Sequence, residues 1–170
     1  MIKRSLLLTA LLATALTGCS GESTPKDTLG APSPTVTSPG PCKAATSTNK
    51  DLKSKPTFTA SDCAAPDATF STDVVVGTGA EAKEGSSVEV QYLGVNYATA
   101  AEFDSSWARN QEPLPFTIGT GVIPGFSTGV TGMKVGGRRL VVIPPKDGYG
   151  DGGPVPGGTI AFVIDLVKVG

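Results

Sequence analysis

The sequence predicts an α+β domain, a largely antiparallel sheet with one short helix. Three observations carry that prediction. From about Thr72 onward, short β-like runs are separated by glycine-rich turns. A single segment, "VIPGFSTGVTGM", places apolar residues at helical rather than strand spacing. The ordered stretch, about a hundred residues, suffices for one hydrophobic core and no more.

The first predicted strand is Val74 to Val76. In Val88-Glu89-Val90-Gln91-Tyr92 apolar and polar residues alternate, which puts Val88, Val90 and Tyr92 on one face. Pro115 to Ile118, Arg138 to Ile143 and Ile160 to Val169 supply three more strands, and in the last of them Ile160, Phe162, Ile164 and Leu166 share a side. The helix starts at Pro124, which suits a first-turn position, and runs two to three turns, with Phe126, Val130 and Met133 at spacings of four and three. Arg138 and Arg139 follow Gly136-Gly137 and read as a solvated pair at an exposed turn. Pro144-Pro145 ends the strand before it, because proline has no N–H for a ladder bond.

Upstream, the texture differs. Residues 1–18 form an export signal, with Lys3 and Arg4 before an apolar run from Leu6 to Leu16. The sequence Leu16-Thr17-Gly18-Cys19 resembles a bacterial lipoprotein signal, in which Cys19 is lipidated and becomes the new N-terminus; the alternative is an ordinary cleaved signal with an incidental cysteine. Residues 19–41, dense in Pro, Ser, Thr and Gly, read as a flexible tether. Residues 42–70 form a lead-in with at most one weak strand, at Pro56-Thr57-Phe58-Thr59, and residues 71–170 are the folded domain. Cys42 and Cys63 of an exported chain meet an oxidising compartment, so a disulfide is expected. It would close about 22 residues, worth roughly 3 kcal/mol in the chain-entropy model. The alternative is two unpaired thiols.

Composition removes several functions. Histidine is absent, which excludes Ser-His and Cys-His catalysis and takes away the commonest metal ligand. A net charge of −1 and a pI near 5.4 give no footprint for nucleic acid. The acids are scattered and no glycine-rich turn has the phosphate-binding layout G-x-x-x-x-G-K-[ST], so neither metal nor nucleotide cofactor is expected.

Residues 88 to 169 nevertheless carry a distinctive series: VEVQYLGV, EFDSSWARN, VIPGFSTGVTGMKVGGRR, IPPKDGYG and VPGGTIAFVIDLVKV, in that order. The series resembles the FKBP-type peptidyl-prolyl isomerase domain. The resemblance implies a curved, mostly antiparallel sheet wrapped around the short helix, and an enzyme that rotates Xaa-Pro bonds in proline-containing polypeptides. It is a reaction that needs no acid, base or metal. Planar amides carry charge separation that the twisted form loses, so a dry apolar pocket favours the transition state.

By the same resemblance, Tyr92, Phe103, Val122, Ile123, Phe126 and Phe162 line the proline pocket, and Asp104 sits at its rim near Arg109. The Ile123 N–H holds a substrate carbonyl and the Tyr149 hydroxyl fixes the chain. Leu114, Phe116 and Val155 complete the substrate-binding set. Phe126 stands where many members have tryptophan, which implies a smaller floor and weaker binding of macrolides such as tacrolimus or rapamycin. Leu114 replaces an aromatic residue, and the Gly119–Val122 turn and the 152–158 loop are shorter than is usual. Trp107 reads as a loop residue near the rim, and Asp104 has an alternative role as a turn cap. Taken together, the sequence predicts a monomeric, membrane-tethered isomerase acting on exported proteins. The alternative is a non-catalytic peptide-binding or chaperone module on the same fold.

Overall fold

Six strands form one antiparallel sheet: β1 (Phe70–Val75), β2 (Ser87–Asn96), β3 (Glu102–Ser105), β4 (Leu114–Thr117), β5 (Arg138–Ile143) and β6 (Ile160–Val169). The strand order is β1-β5-β6-β2-β3, and β4 pairs with the first half of β2. One helix, α1 (Pro124–Val130), accompanies them among the described residues. The structure is a computed structural model that describes residues 42–150, 153, 155 and 158–170. The export signal, Cys19, the tether and most of the 152–158 loop lie outside the described residues. Of the two units into which the chain divides, Met1–Ser38 and Pro39–Gly170, the second contains every described residue.

Strands β5 and β6 have the boundaries that their sequence pattern predicts. Strand β1 starts earlier than expected, at Phe70, because four of its residues pair with Leu140 to Val142 and Arg139 of β5 before the register shifts. Strand β3 was not expected: "EFDS" is short and lacks a clear alternation, and it is the pairing of Ser105 and Asp104 with Leu93 and Gly94 that makes it a strand.

The helix is shorter than the pattern suggested. It ends at Val130, and Gly132 at φ +78° turns the chain so that Met133 returns to the core from outside the helix. Met133 is a core residue, 2% exposed, without being a helical one. Two glycines explain how α1 reaches the sheet. A Cβ at Gly129 would lie 2.6 Å from Val141, and one at Gly125 would lie 2.4 Å from Ile143. Glycine costs a helix interior about 0.5–1 kcal/mol, here offset by an approach to β5 that no larger residue allows.

Both faces of the sheet are covered. The inner face packs against α1 with Val88, Val90, Tyr92, Ile160, Phe162, Ile164 and Leu166. The outer face holds Leu93, Val95, Tyr97, Leu140, Val142, Ala161 and Val163, and the lead-in lays Ala45 and Phe58 against it. The lead-in is closed by a disulfide between Cys42 and Cys63, with a Cα–Cα distance of 4.9 Å, and by a bridge between Thr46 and Thr59 in place of a full strand. The Tyr97 hydroxyl donates to Ser61 Oγ at 2.8 Å, which ties its far end down.

The expected solvated arginine pair is corrected here. Arg138 is fully buried, 0% exposed. It faces Asp165 directly across β6, donating from Nε at 2.5 Å and from Nη2 at 2.6 Å. Its Nη1 and Nη2 also donate to the carbonyls of Asn49 (2.8 Å) and Ser54 (3.1 Å) in the lead-in. Arg139, on the other face, pairs with Asp73 at 2.6 Å and donates to the Gly129 carbonyl at the end of α1. The glycine turn before them is exposed at Gly136, yet the strand residue after it points into the interface that the lead-in covers.

Reduction of the disulfide should destabilise the folded chain by roughly 3 kcal/mol, the loop-closure value for this separation. Urea unfolding with and without dithiothreitol measures it; an unchanged midpoint would mean that Arg138 and Phe58 alone hold the lead-in.

Candidate active site

A cleft of about 560 Å³ opens between α1 and the sheet, lined by Tyr92, Asp104, Leu114, Gly121, Val122, Ile123, Phe126, Tyr149 and Phe162. The volume suits a small side chain with its flanking backbone. Its floor is a set of rings in edge-to-face contact. Phe126 and Phe162 meet at 5.0 Å and 88°, and Tyr92 stands 6.0 Å from each of them. Behind this layer, Phe103 supports Phe162 at 5.6 Å and Phe116 supports Phe126 at 5.5 Å. Such pairs fix ring orientation beyond what area burial alone provides.

Local sequence explains why the rings sit there. Phe162 pairs with Gly94 across β2 and β6. A Cβ at Gly94 would lie 2.7 Å from the Phe162 ring and 2.9 Å from that of Phe103. The glycine is therefore the seat of both rings. Phe126 is carried in by α1, whose start is fixed by Pro124 and by Ile123 in extended geometry, φ −60° and ψ 147°. The Ile123 carbonyl accepts from the Phe126 and Ser127 amides, while among the described residues its own N–H has no partner.

The rim is polar. Tyr92 donates its hydroxyl hydrogen to Asp104 Oδ2 at 2.5 Å, Arg109 Nη1 donates to Asp104 Oδ1 at 2.5 Å, and Arg109 Nη2 donates to the Tyr92 oxygen. The guanidinium also lies 5.5 Å over the Tyr92 ring. Asp104 accepts the Ser105 amide as well, so the cap role and the rim role coexist. Burial pushes the Asp104 carboxyl up, but the hydrogen bonds from Tyr92 and Arg109, with the arginine charge, outweigh it and hold it below its ordinary value. Burial, followed by the bond to Asp104, raises the Tyr92 phenol. Arg109 is raised by its hydrogen bonds to Asp104 and Tyr92. Burial and the nearby Asp104 charge raise Tyr149.

Eight of the twelve residues named from sequence as catalytic or substrate-binding line this cleft: Tyr92, Asp104, Leu114, Val122, Ile123, Phe126, Tyr149 and Phe162. Phe103 and Phe116 stand behind the floor, and Arg109 holds the rim. Val155 is 4% exposed within the core and does not line the cleft. Trp107 lies outside the cleft, on a short 3-10 turn, Ser106–Arg109. Three supporting residues had been passed over. Besides Gly94, the buried Ser106 hydroxyl accepts the Tyr92 amide at 2.9 Å, and Ser105 Oγ accepts the Trp107 amide at 3.2 Å, so the serines of "FDSS" hold Tyr92 and cap the turn that presents Arg109. Their signal was in the motif, where small hydroxyls follow the acid.

A family model described as FKBP-type peptidyl-prolyl cis-trans isomerase matches residues 79–167. The chain belongs to that family. It is 47% identical over 108 residues to the probable FK506-binding protein of Corynebacterium glutamicum, an alignment covering 61% of this chain and 89% of that one. With the FK506-binding protein of Streptomyces anulatus it shares 50% identity over 103 residues, covering 57% and 82%. Among solved structures it is similar to AtFKBP13 (TM-score 0.55, 33% identity, 62% of this chain and 96% of that chain) and to FkpA from Escherichia coli (TM-score 0.54, 36% identity, 59% of this chain). The chain spans 47% of FkpA. The protein is a peptidyl-prolyl cis-trans isomerase, with the open antiparallel sheet and single helix of the FKBP fold.

Isomerase activity should be flat across the neutral range. There is no histidine; Asp104 is held below and Tyr92 and Tyr149 above their ordinary values. A carboxyl depressed on folding contributes stability that is present above its unfolded value and is lost as pH falls through the folded one. The rim should therefore weaken only below about pH 4. Measuring kcat/KM on an Xaa-Pro peptide between about pH 5 and 9 tests this; a bell with a limb near pH 6 to 7 would refute it.

Proposed function

We propose that this isomerase works outside the cytoplasm, anchored to a bacterial membrane by a lipid on Cys19, and turns Xaa-Pro bonds of exported proteins as they fold. The export role rests on the basic, apolar and Leu-Thr-Gly-Cys layout of the N-terminal residues and on the Cys42–Cys63 disulfide, which belongs to an oxidising compartment.

Tyr92, Phe103, Asp104, Ile123, Tyr149 and Phe162 are the working residues. The observation that carries this is a ring-floored cleft with the Ile123 N–H, unpaired among the described residues, in its wall. Proline enters against Phe126 and Phe162, and the Ile123 N–H takes a substrate carbonyl. Rotation must overcome about 18–20 kcal/mol of amide conjugation. Removing water from the amide disfavours its charge-separated planar form more than the twisted one, while the held carbonyl fixes one side as the other turns. Asp104 and Arg109 keep Tyr92 upright, and the half-exposed Tyr149 is placed to hydrogen-bond the chain outside the ring floor. Macrolides of the tacrolimus type would occupy the same cleft, with an affinity lowered by the phenylalanine floor at Phe126.

The full chain, produced in a bacterium fed labelled palmitate, should carry the label, and Cys19→Ala should not. Purified, it should accelerate cis/trans exchange of an Xaa-Pro peptide followed by NMR line exchange. Equal labelling of both chains would remove the anchor, and a folded, disulfide-intact sample without acceleration would leave a peptide-binding module.

A further inference from the structure

A second cleft, about 490 Å³, lies beside the first and is lined by Glu84, Gly119, Val122, Pro124, Ser127, Thr128 and Thr131. Val122 belongs to both clefts, so a chain leaving the first over this residue enters the second. Its polar groups are not equally free. Ser127 Oγ already accepts the Gly119 amide at 3.1 Å, and Thr131 Oγ1 donates to the Ser127 carbonyl at 2.9 Å. The Glu84 carboxylate makes no ion pair and accepts no hydrogen bond among the described residues. Among the described residues it is the only charged side chain of the cleft wall. It also lies over the turn because Gly119, at φ +94°, has no side chain: a Cβ there would fall 2.2 Å from Glu84 Oε1.

We propose that this second cleft is a specificity subsite that takes a lysine or arginine side chain of the polypeptide substrate, with Glu84 as its counter-ion. The proposal rests on the assignment of the first cleft as the proline site. An extended chain advances about 3.3–3.6 Å per residue. Because Val122 borders both clefts, the cation falls within a few residues of the proline, on one side of it. An exposed carboxylate of this kind selects among substrates without touching the bond that rotates, and its effect belongs in KM.

The test compares peptides that carry Lys, Leu or Glu at the third position before or after the same proline, assayed by cis/trans exchange with the full chain. On one side of the proline, the Lys peptide should exceed the Glu peptide in kcat/KM by about two- to fivefold at low salt, the size expected of a solvent-exposed ion pair, and less at high salt. Glu84→Gln should bring the ratio to about one and Glu84→Lys should invert it, with the Leu peptide unaffected by either. In the same spectra the Thr128 and Thr131 amides should shift with the Lys peptide and not with the Glu peptide. Equal turnover of the Lys and Glu peptides by the unaltered enzyme, or a ratio indifferent to Glu84, would overturn the subsite while leaving the proline site standing. Loss of turnover for all three peptides in the unaltered enzyme would overturn both.

Discussion

Asp165→Ala should lower the unfolding free energy by about 3–5 kcal/mol, because it leaves the fully buried Arg138 guanidinium without its counter-charge. Burial raises the Asp165 carboxyl against the opposing pull of Arg138. The native state thus holds that proton more firmly than the unfolded chain does, and the carboxylate gains no stability from being ionised at neutral pH. The pair is costly to break without being a large net source of stability. A double replacement, Asp165→Leu with Arg138→Met, should therefore recover much of the loss, leaving the cost of releasing the Asn49 and Ser54 carbonyls. Urea unfolding of the two variants measures the difference. If Asp165→Ala costs under about 1 kcal/mol, in the range of an exposed ion pair, water reaches the pair and the lead-in is not sealed over the sheet.

That pair marks the limit of what the sequence could reveal. Apolar, β-like runs set off by glycine- and proline-rich turns located β5 and β6 to the residue. They could not show that Arg138 faces inward, because the partner that buries it lies 84 to 89 residues upstream in the lead-in. The end of α1 was misplaced for a related reason. Met133 has the right spacing for a helical core residue, and only the positive φ of Gly132 shows that it reaches the core by a turn.

The cleft was more legible than the scaffold because its parts lie within motifs: the rings of Tyr92, Phe126 and Phe162 and the free amide of Ile123 each sit at a position that the family series marks. What holds them was less visible. Gly94 looks like any glycine in a strand until the two phenylalanine rings are seen resting on it. Val155, named for its place in the series, is packed inward instead.

Phe162→Leu should lower kcat/KM on an Xaa-Pro peptide by about 10- to 100-fold, the loss expected when a hydrophobic pocket contact of this size is removed. Phe162, like Phe126, meets three other rings: Tyr92, Phe103 and Phe126 all meet its edge or face. Leucine keeps the core filled at the Gly94 seat, so the variant should fold, whereas alanine at this position would cost about 3–5 kcal/mol in stability and confuse the two effects. The loss should fall largely on kcat if the ring serves to keep water from the twisting amide, since that interaction grows as the bond leaves planarity. A change confined to KM would mean that Phe162 only binds proline and that the carbonyl held by Ile123 carries the rate. The thermal midpoint measured on the same sample separates either result from partial unfolding.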